Sequence, residues 1–137
     1  VISTNKGNII LELFQKDAPG SVHNFIELAE RGFFNGKNFH RVVPNFVIQG
    51  GCTRGDGYGI EDYTIRSEFS TRSYDDGGYV GMASSGKDTE GTQFFITHTA
   101  ALHLDGKYTI FAKVKKGMDI VDDIQVGDKI TNVIILF

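Results

Sequence analysis

The sequence predicts a mainly β protein, built as an all-β barrel or sandwich with one helix inserted early in the chain. Glycine is dense in the middle of the chain, with 17 glycines in all. The segments between these glycines are short and rich in β-branched residues, which favours antiparallel strands over alternating strands and helices. A chain of 137 residues with 40% hydrophobic composition can bury one sizeable core, so we expect residues 1–137 to form one domain.

The first two elements form a predicted hairpin. Residues 1–3 and 8–14 flank the turn residues Asn5, Lys6 and Gly7, and glycine is favoured in such turns. Hydrophobic residues alternate along the second segment, which is typical of a strand with one buried face.

A helix is predicted at residues 19–31. Pro19 stands where the first helical residue belongs, because its fixed φ suits a helix start and no N–H is needed there. Apolar residues then recur at helical spacing from Val22 to Ala29, and Gly32 follows as a stop signal.

The second half of the chain carries the remaining strand patterns and one short helical pattern. Strands are predicted at residues 39–43, 46–49, 79–83, 93–97, 109–115 and 129–137, and a short helix at residues 118–124. Because strand patterns stand at both ends of the chain, we expect the first and last strands to pair and to close the sheet, which removes exposed strand edges.

Composition excludes several classes of partner. The net charge of −3 offers no basic surface for nucleic acid, and no apolar run approaches the length of about 20 residues that crosses a membrane. A lone cysteine, Cys52, cannot form an intramolecular disulfide or a cysteine-based zinc site. Because Val1 is not an initiator Met, we expect a processed product or a domain of a longer protein, and both a cytoplasmic and a periplasmic location are open.

Three short motifs point to functions that their surroundings do not support. Residues 81–87 match the start of a phosphate-binding loop, but Asp88 stands where a magnesium-binding hydroxyl is needed. Residues 54–56 spell Arg-Gly-Asp, for which a tight turn is the simpler interpretation. The four histidines show no metal-ligand spacing, so we predict no metal site.

Three other motifs agree with one another. The stretch FHRVVPNFVIQGG at residues 39–51 places an Arg, a Phe and a Gln in a strand-forming context, and it resembles the cyclophilin signature. Residues 91–97 and 104–114 resemble two further cyclophilin motifs in the right order and at suitable separation. The resemblance covers essentially the whole chain and is closest to the compact bacterial-type cyclophilins.

The resemblance implies a fold and an activity. The expected fold is a closed eight-stranded antiparallel barrel capped by two helices, with the active groove on its outer face. The expected activity is that of a peptidyl-prolyl cis/trans isomerase, which rotates Xaa-Pro bonds of protein substrates without a cofactor and assists their folding. A proline-peptide binding module with little catalysis is the alternative. We also expect a monomer that binds proline-containing peptides and unfolded or flexible protein segments.

The resemblance also assigns residues to the groove. Arg41, Phe46 and Gln49 match the catalytic positions, with Arg41 as the catalytic arginine. The other matching positions contact the substrate: they are the wall of the proline pocket, a polar group for the backbone, a short peptide-pairing edge and a neighbouring subsite, namely Val47, Gly57, Ala83, Ser84, Thr89, Gln93, Phe95, His103, Leu104 and Tyr108. Because His103 replaces a Trp of cyclosporin-sensitive members, we expect weak cyclosporin binding.

The residues alone leave structural alternatives open. Phe46 and Phe95 could be ordinary core residues, as most strand phenylalanines are. Arg41 lies among apolar neighbours and is hard to place on a solvated face, so function and a structural ion pair are equally supported without the family. Cys52 is expected to border the groove, as an inert small residue or as a redox-active thiol.

Overall fold

The computed structural model describes residues 1–57 and 63–136, and in these residues eight strands form one antiparallel sheet that rolls into a nearly closed barrel. Two α-helices and a short 3-10 helix accompany the sheet. The strands are β1 Ile2–Thr4, β2 Gly7–Leu13, β3 Phe39–Val43, β4 Val47–Gly50, β5 Tyr79–Met82, β6 Phe94–Thr97, β7 Ile110–Lys116 and β8 Ile130–Val133. The helices are α1 Pro19–Glu30 and α2 Met118–Asp123, and the 3-10 helix is Leu102–Leu104.

The order of strands across the sheet is β3-β4-β6-β5-β7-β2-β1-β8. Strands β1 and β8 pair, with Ile2 opposite Val133, so the predicted pairing of the first and last strands is confirmed. Their pairing does not close the barrel, however, because β8 and β3 are the two ends of the sheet.

Closure of the barrel takes place between β3 and β8. Asn38 and Lys129 form an isolated antiparallel bridge. On either side of it, the Phe39 N–H donates to the Asp128 carbonyl at 2.8 Å and the Ile130 N–H donates to the Lys37 carbonyl at 2.8 Å. These bonds satisfy edge groups that would otherwise be open to pairing with another chain.

The barrel core is an apolar cluster that fills the lumen and its end under α1. Phe25 of α1 packs against Phe34, Phe94 and Phe111, with ring centroids 5.1 to 5.9 Å apart. Each of these four side chains is at most 3% exposed. The amphipathic face predicted for residues 19–31 thus covers one end of the barrel.

Helix α1 begins without a side-chain cap from its own segment, because Ala18 stands at the N-cap. The carboxylate of Glu68 takes that role from a distant part of the chain: it accepts the Gly20 N–H at 2.9 Å and the Ser21 N–H at 2.7 Å. A negative charge at this end is also favoured by the helix dipole.

Predicted and observed elements agree in order and type, and they differ at their ends. The first helix ends at Glu30, one residue before the prediction, with Arg31 as its C-cap. The predicted strand at 129–137 is too long, because β8 ends at Val133. Beyond β8, the Ile134 N–H still donates to the Val1 carbonyl, and in the described part of the chain the strand pairing stops there. Phe137 lies outside the described residues. Within the described residues, no helix has the length and apolar character needed to span a membrane.

Gly117 is predicted to be a position that only glycine can occupy. It links β7 to α2 with φ +103°, and an added Cβ would lie 2.5 Å from the Asn8 carbonyl oxygen. Gly127 has a similar φ of +93° but open space around its Cα. We expect Gly127→Ala to lower the free energy of unfolding by about 1 kcal/mol, from backbone strain alone. Gly117→Ala should lower it by roughly 3 kcal/mol, because β2 must also shift. Urea unfolding measures the free energy of unfolding of both variants. An equal decrease in the two would contradict the predicted clash between a side chain at residue 117 and β2.

Asp128 is predicted to stabilise the closure of the barrel in a pH-dependent way. Hydrogen bonds from the Asn5 side chain at 2.9 Å and from the Gln125 N–H at 2.8 Å lower the pKa of its carboxyl group. A lowered pKa in the folded state adds stability above the unfolded pKa, and this stability is lost as the pH falls through the folded pKa. Asp128→Asn should therefore reduce the free energy of unfolding by about 1 kcal/mol at neutral pH.

The difference between Asp128→Asn and the parent should shrink as the pH falls from about 5 towards 2. Asp122→Asn is the matched control, since Asp122 is exposed and its carboxylate makes no hydrogen bond within the described part of the chain. A difference for Asp128→Asn that stays constant over the acid range would show that its carboxylate does not carry the effect.

Candidate active site

A second apolar cluster lies on the outside of the barrel, over strands β4, β5 and β6. Its buried members come from several parts of the chain: Phe14, Val47, Tyr74, Phe95, Ala101, Leu104 and Ile110. Beside this cluster the surface forms a cavity of about 410 Å³, which we call the main cavity. Its described lining residues are Arg41, Phe46, Val47, Gln49, Ala83, Ser84, Phe95, His103, Leu104, Lys107 and Tyr108.

Phe95 forms the floor of the main cavity. It stands opposite Gly81 in the pairing of β5 and β6, and a Cβ on Gly81 would clash with both the Phe95 ring and the Tyr74 hydroxyl. The Tyr74 ring stacks on Phe95 at 5.8 Å between centroids, and the Tyr108 ring stands perpendicular to Phe95 at 5.8 Å. The absence of a side chain at Gly81 therefore allows the aromatic floor to form.

Tyr74 supports this floor from below. It is fully buried, and its hydroxyl donates to the Tyr108 carbonyl at 3.0 Å. Burial, with a contribution from the nearby Asp105 carboxylate, raises the pKa of Tyr74 well above its usual value. The phenol therefore stays a neutral hydrogen-bond donor that ties the floor to the wall of the cavity.

Phe46 and His103 form the rim of the main cavity. Asn45 takes a left-handed backbone conformation with φ +59° in the turn before β4, and the His98 N–H donates to the Phe46 carbonyl at 2.7 Å. The Phe46 and His103 rings lie 5.4 Å apart at an angle of 32°. Phe46 is half-buried and His103 is exposed, so this side of the cavity is open to solvent.

A row of polar groups runs along the other side of the cavity. The Arg41 Nη1 donates to the Gln49 Oε1 at 3.4 Å, and the Gln49 Nε2 donates to the Gln93 Oε1 at 3.0 Å. The Gln93 Nε2 in turn donates to the Gly57 carbonyl at 3.3 Å. Strand register creates this row, because Arg41 pairs with Gln49 across β3 and β4.

Arg41 lies on a solvated face, so the sequence-based objection to such a position is wrong. Phe39, two residues earlier on β3, is fully buried, while Arg41 is exposed at the edge of the cavity. Within residues 1–57 and 63–136, no carboxylate lies within ion-pairing distance of Arg41. The alternative of a structural ion pair therefore has no partner among the described carboxylates.

A second cavity of about 190 Å³ continues the main cavity past Gln49, Ala83 and Ser84. Gly57, Thr89 and Gln93 lie in its wall. All thirteen residues that the sequence assigned to the groove therefore line one cavity or the other.

The hydroxyl of Thr89 serves its own loop. It accepts the Ser85 N–H at 2.8 Å and donates to the Gly86 carbonyl at 2.7 Å. The Ala83 N–H is also used, because it donates to the Gln93 carbonyl at 3.0 Å. The Ala83 N–H is therefore already satisfied within the sheet.

The sequence missed some lining residues and misplaced one. Lys107 lines the main cavity, and its position between two matched residues in the 104–114 motif was the available signal. Ser85, Gly91 and Thr92 line the second cavity. Cys52 is fully buried and lines neither cavity, so the expectation that it borders the groove is wrong.

The rejected motifs behave as ordinary loop structure. Asp88, which breaks the phosphate-loop pattern, has φ +62° and accepts the Ser67 N–H at 3.0 Å, and no helix begins there. Arg54 and Asp56 form an ion pair at 2.8 Å around Gly55, whose N–H bonds the Cys52 carbonyl at 3.2 Å.

Comparison with known proteins gives a single result. The family described as "Cyclophilin type peptidyl-prolyl cis-trans isomerase/CLD" matches residues 1–136. A Helicobacter pylori protein named peptidyl-prolyl cis-trans isomerase is 47% identical over 136 residues, covering 97% of this chain and 83% of that protein. Peptidyl-prolyl cis-trans isomerase B of Bacillus subtilis is 46% identical over 124 residues, covering 89% of this chain and 87% of that protein.

The fold gives the same result. A Cryptosporidium parvum cyclophilin-type isomerase, solved in the presence of the dipeptide Ala-Pro, superposes with a TM-score of 0.93 at 30% identity. The superposition covers 99% of this chain and 97% of that one. The barrel, the outer groove and these relatives together establish that the chain belongs to the cyclophilin family and is a peptidyl-prolyl cis/trans isomerase that binds proline-containing peptides.

Proposed function

We propose that the main cavity receives the proline ring of the substrate and that Arg41 acts on the peptide bond before it. The observation that carries this proposal is the position of the Arg41 guanidinium at the edge of an apolar cavity floored by Phe95. No carboxylate of residues 1–57 or 63–136 pairs with this guanidinium. Phe46, Val47 and Leu104 complete the apolar walls. The Ala-Pro dipeptide present with the Cryptosporidium parvum relative is a ligand of the size and type that such a cavity suits.

The reaction requires rotation about an amide bond, with no covalent bond broken. Amide resonance sets a barrier of about 18–20 kcal/mol. In the twisted state the proline nitrogen no longer shares its lone pair with the carbonyl, so it accepts a hydrogen bond that it cannot accept when planar. A donor fixed beside that nitrogen binds the twisted state more tightly than either planar isomer, and this difference lowers the barrier.

Arg41 fits the role of this donor. Its guanidinium is charged, rigid and rich in N–H groups. The Gln49 Oε1 accepts a hydrogen bond from one of these groups at 3.4 Å, and the Gln49 Nε2 donates to the Gln93 Oε1 at 3.0 Å. The row of amides thus orients the guanidinium before the substrate arrives, and little reorganisation is needed during rotation. We propose that Gln49 and Gln93 also align the substrate backbone.

The second cavity would hold residues that precede the proline. Gly57, Thr89 and Gln93 form its wall, and Ala83 and Ser84 separate it from the main cavity. We propose that Ala83 and Ser84 pair with the substrate as a short edge strand. His103 and Tyr108 would contact the proline ring from the open side of the main cavity.

The open shape of the groove suits segments that can extend across it. We propose that the substrates are unfolded or flexible protein segments, and that residues 1–137 act as one monomeric domain. The chemistry calls for positioned donors and an apolar pocket, so the proposed mechanism uses no cofactor.

Arg41→Ala and Phe95→Ala are predicted to separate catalysis from binding. Loss of Arg41 should lower the isomerisation rate about a hundredfold or more, on the order of 3 kcal/mol, with binding retained, because the arginine acts mainly on the twisted state. Loss of Phe95 should weaken binding and rate together, because planar and twisted states both use the cavity floor. NMR exchange measurements and peptide titrations on one proline peptide give both quantities.

Arg31→Ala is the control for the arginine substitution, because Arg31 is exposed at the end of α1 and lines neither cavity. Circular dichroism should first establish that each variant is folded. An Arg41→Ala protein that isomerises the peptide as fast as the parent would refute the proposed role.

Cyclosporin binding is predicted to be weak and to depend on His103. Its ring is smaller and more polar than the indole of Trp, and it sits exposed at the rim against Phe46. His103→Trp should tighten binding, because an indole adds apolar area and an N–H donor at this place. Calorimetric titration of both proteins checks the expectation, and it fails if the parent already binds as tightly as the variant.

A further inference from the structure

We infer that a third cavity beside the groove is a subsite for an acidic side chain of the substrate. This inference rests on the proposed use of the main cavity for proline. The third cavity, of about 560 Å³, adjoins the main cavity at Ser84, Lys107 and Tyr108. Its described lining residues are Phe69, Ser84, Ser85, Gly86, Lys87, Gly106, Lys107 and Tyr108.

The charge around the groove differs in sign from that of the chain. The sequence has 17 acidic against 14 basic residues. Yet the described residues that line the three adjoining cavities include no Asp or Glu, while Arg41, Lys87 and Lys107 all lie there. A concave surface with one sign of charge concentrates its field and attracts ligand groups of the opposite sign.

In the part of the chain that the structure describes, no carboxylate pairs with the ammonium groups of the two lysines in the third cavity. Lys87 and Lys107 are both exposed, and neither makes an ion pair with any carboxylate in residues 1–57 or 63–136. Two like charges that face one cavity without a counter-charge leave room for a carboxylate from a ligand.

The carboxylates nearest to these lysines along the chain are already used inside the protein. Asp105 accepts the Tyr74 N–H at 2.8 Å and also the Ser73 hydroxyl. Asp88 accepts the Ser67 N–H at 3.0 Å. Neither Asp88 nor Asp105 lines the third cavity, so neither carboxylate stands between the two ammonium groups and a ligand there.

Glu90 is similarly held away from the cavity. It is 1% exposed and accepts the hydroxyls of Ser67 at 3.0 Å and Thr109 at 3.2 Å. Such a buried carboxylate, satisfied by hydroxyl donors, cannot neutralise the surface lysines at close range.

The backbone around each lysine is fixed. Lys87 lies in the loop that the Thr89 hydroxyl closes through Ser85 and Gly86, with bonds of 2.8 and 2.7 Å. The Lys107 N–H donates to the Leu104 carbonyl at 3.1 Å in the turn after the 3-10 helix. A ligand therefore orders mainly the flexible ends of the two side chains, which limits the entropy lost on binding.

Phe69 gives the cavity an apolar side. The residue is 43% exposed, which is unusual for a side chain of this size. The methylene groups of a glutamate or aspartate can pack on such a ring while the carboxylate reaches the lysines. The combination of one exposed aromatic ring and two ammonium groups suits an acidic side chain better than a basic or a purely apolar one.

The test compares proline peptides that carry a single glutamate with matched peptides that carry glutamine. The glutamate is placed in turn at each position on either side of the proline, and kcat/KM is measured by NMR exchange. We expect a ratio of glutamate to glutamine of about two- to fivefold at one position or two adjacent positions, as an exposed ion pair provides. High salt should reduce the ratio towards one, because the screening length falls to about 3 Å at 1 M.

Lys87→Glu is the deciding variant, because Lys87 lies in the third cavity and lines neither of the other two. It should bring the ratio at the same position close to one, because the introduced carboxylate offsets the charge of Lys107 in the same cavity. Lys116→Glu is the control of equal charge, since Lys116 is exposed at the far end of β7 and lines none of the three cavities; it should keep the parent ratio.

Two patterns of glutamate preference would overturn the inference. One is an equal glutamate preference at every position, which would indicate attraction by the general field without a subsite. The other is a preference that Lys87→Glu and Lys116→Glu change equally. The glutamine peptides test the groove itself: if the parent does not accelerate their isomerisation, the proposed function fails, whereas normal acceleration without a glutamate preference refutes only the subsite.

Discussion

The ring of Phe95 packs over Gly81 across β6 and β5, and the groove depends on this contact. Strand β6 is buried on both faces: Phe94 points into the barrel core, and Phe95 belongs to the outer cluster. One strand thus connects the folding core to the catalytic surface. Any side chain at residue 81 would push the ring outwards, and the floor of the main cavity would be lost even if the barrel stayed folded.

The order and type of the elements could be predicted from the sequence, because they depend on local patterns. Pro19 and the apolar spacing after it define the first helix, and the alternation in residues 8–14 defines β2. The closure of the barrel could not be predicted in this way. It depends on backbone bonds between residues near Phe39 and Asp128, which are far apart in sequence and carry no distinctive pattern.

The residues of the groove could be predicted from the resemblance of the motifs. The burial and the contacts of each residue could not be predicted and are known only from the structure. The motifs assign Arg41 to the groove, and it lies at the edge of the main cavity. The apolar letters around it suggested burial, but the register shift between Phe39 and Arg41 breaks the alternation of β3 and leaves the Arg41 side chain in solvent. For Cys52 the error was the reverse, because proximity to the motif in sequence did not bring its side chain to the groove. Two further features could not be predicted, because they depend on which side chains meet. Lys87 and Lys107 have no ion-pair partner within the described residues, and Asp88 and Asp105 accept backbone hydrogen bonds from other segments.

The Glu68 cap on α1 has a consequence for the order of events during synthesis. The carboxylate that accepts the Gly20 N–H lies 48 residues later in the chain. At about 5–20 residues per second, a ribosome needs roughly 2–10 s to add that stretch. During this interval the nascent helix has no partner for its first N–H groups, and a segment of 12 residues is too short to be stable alone. Helix α1 therefore becomes stable only when the chain around residue 68 packs against its N-terminus. The early and middle parts of the polypeptide then fold in one cooperative step.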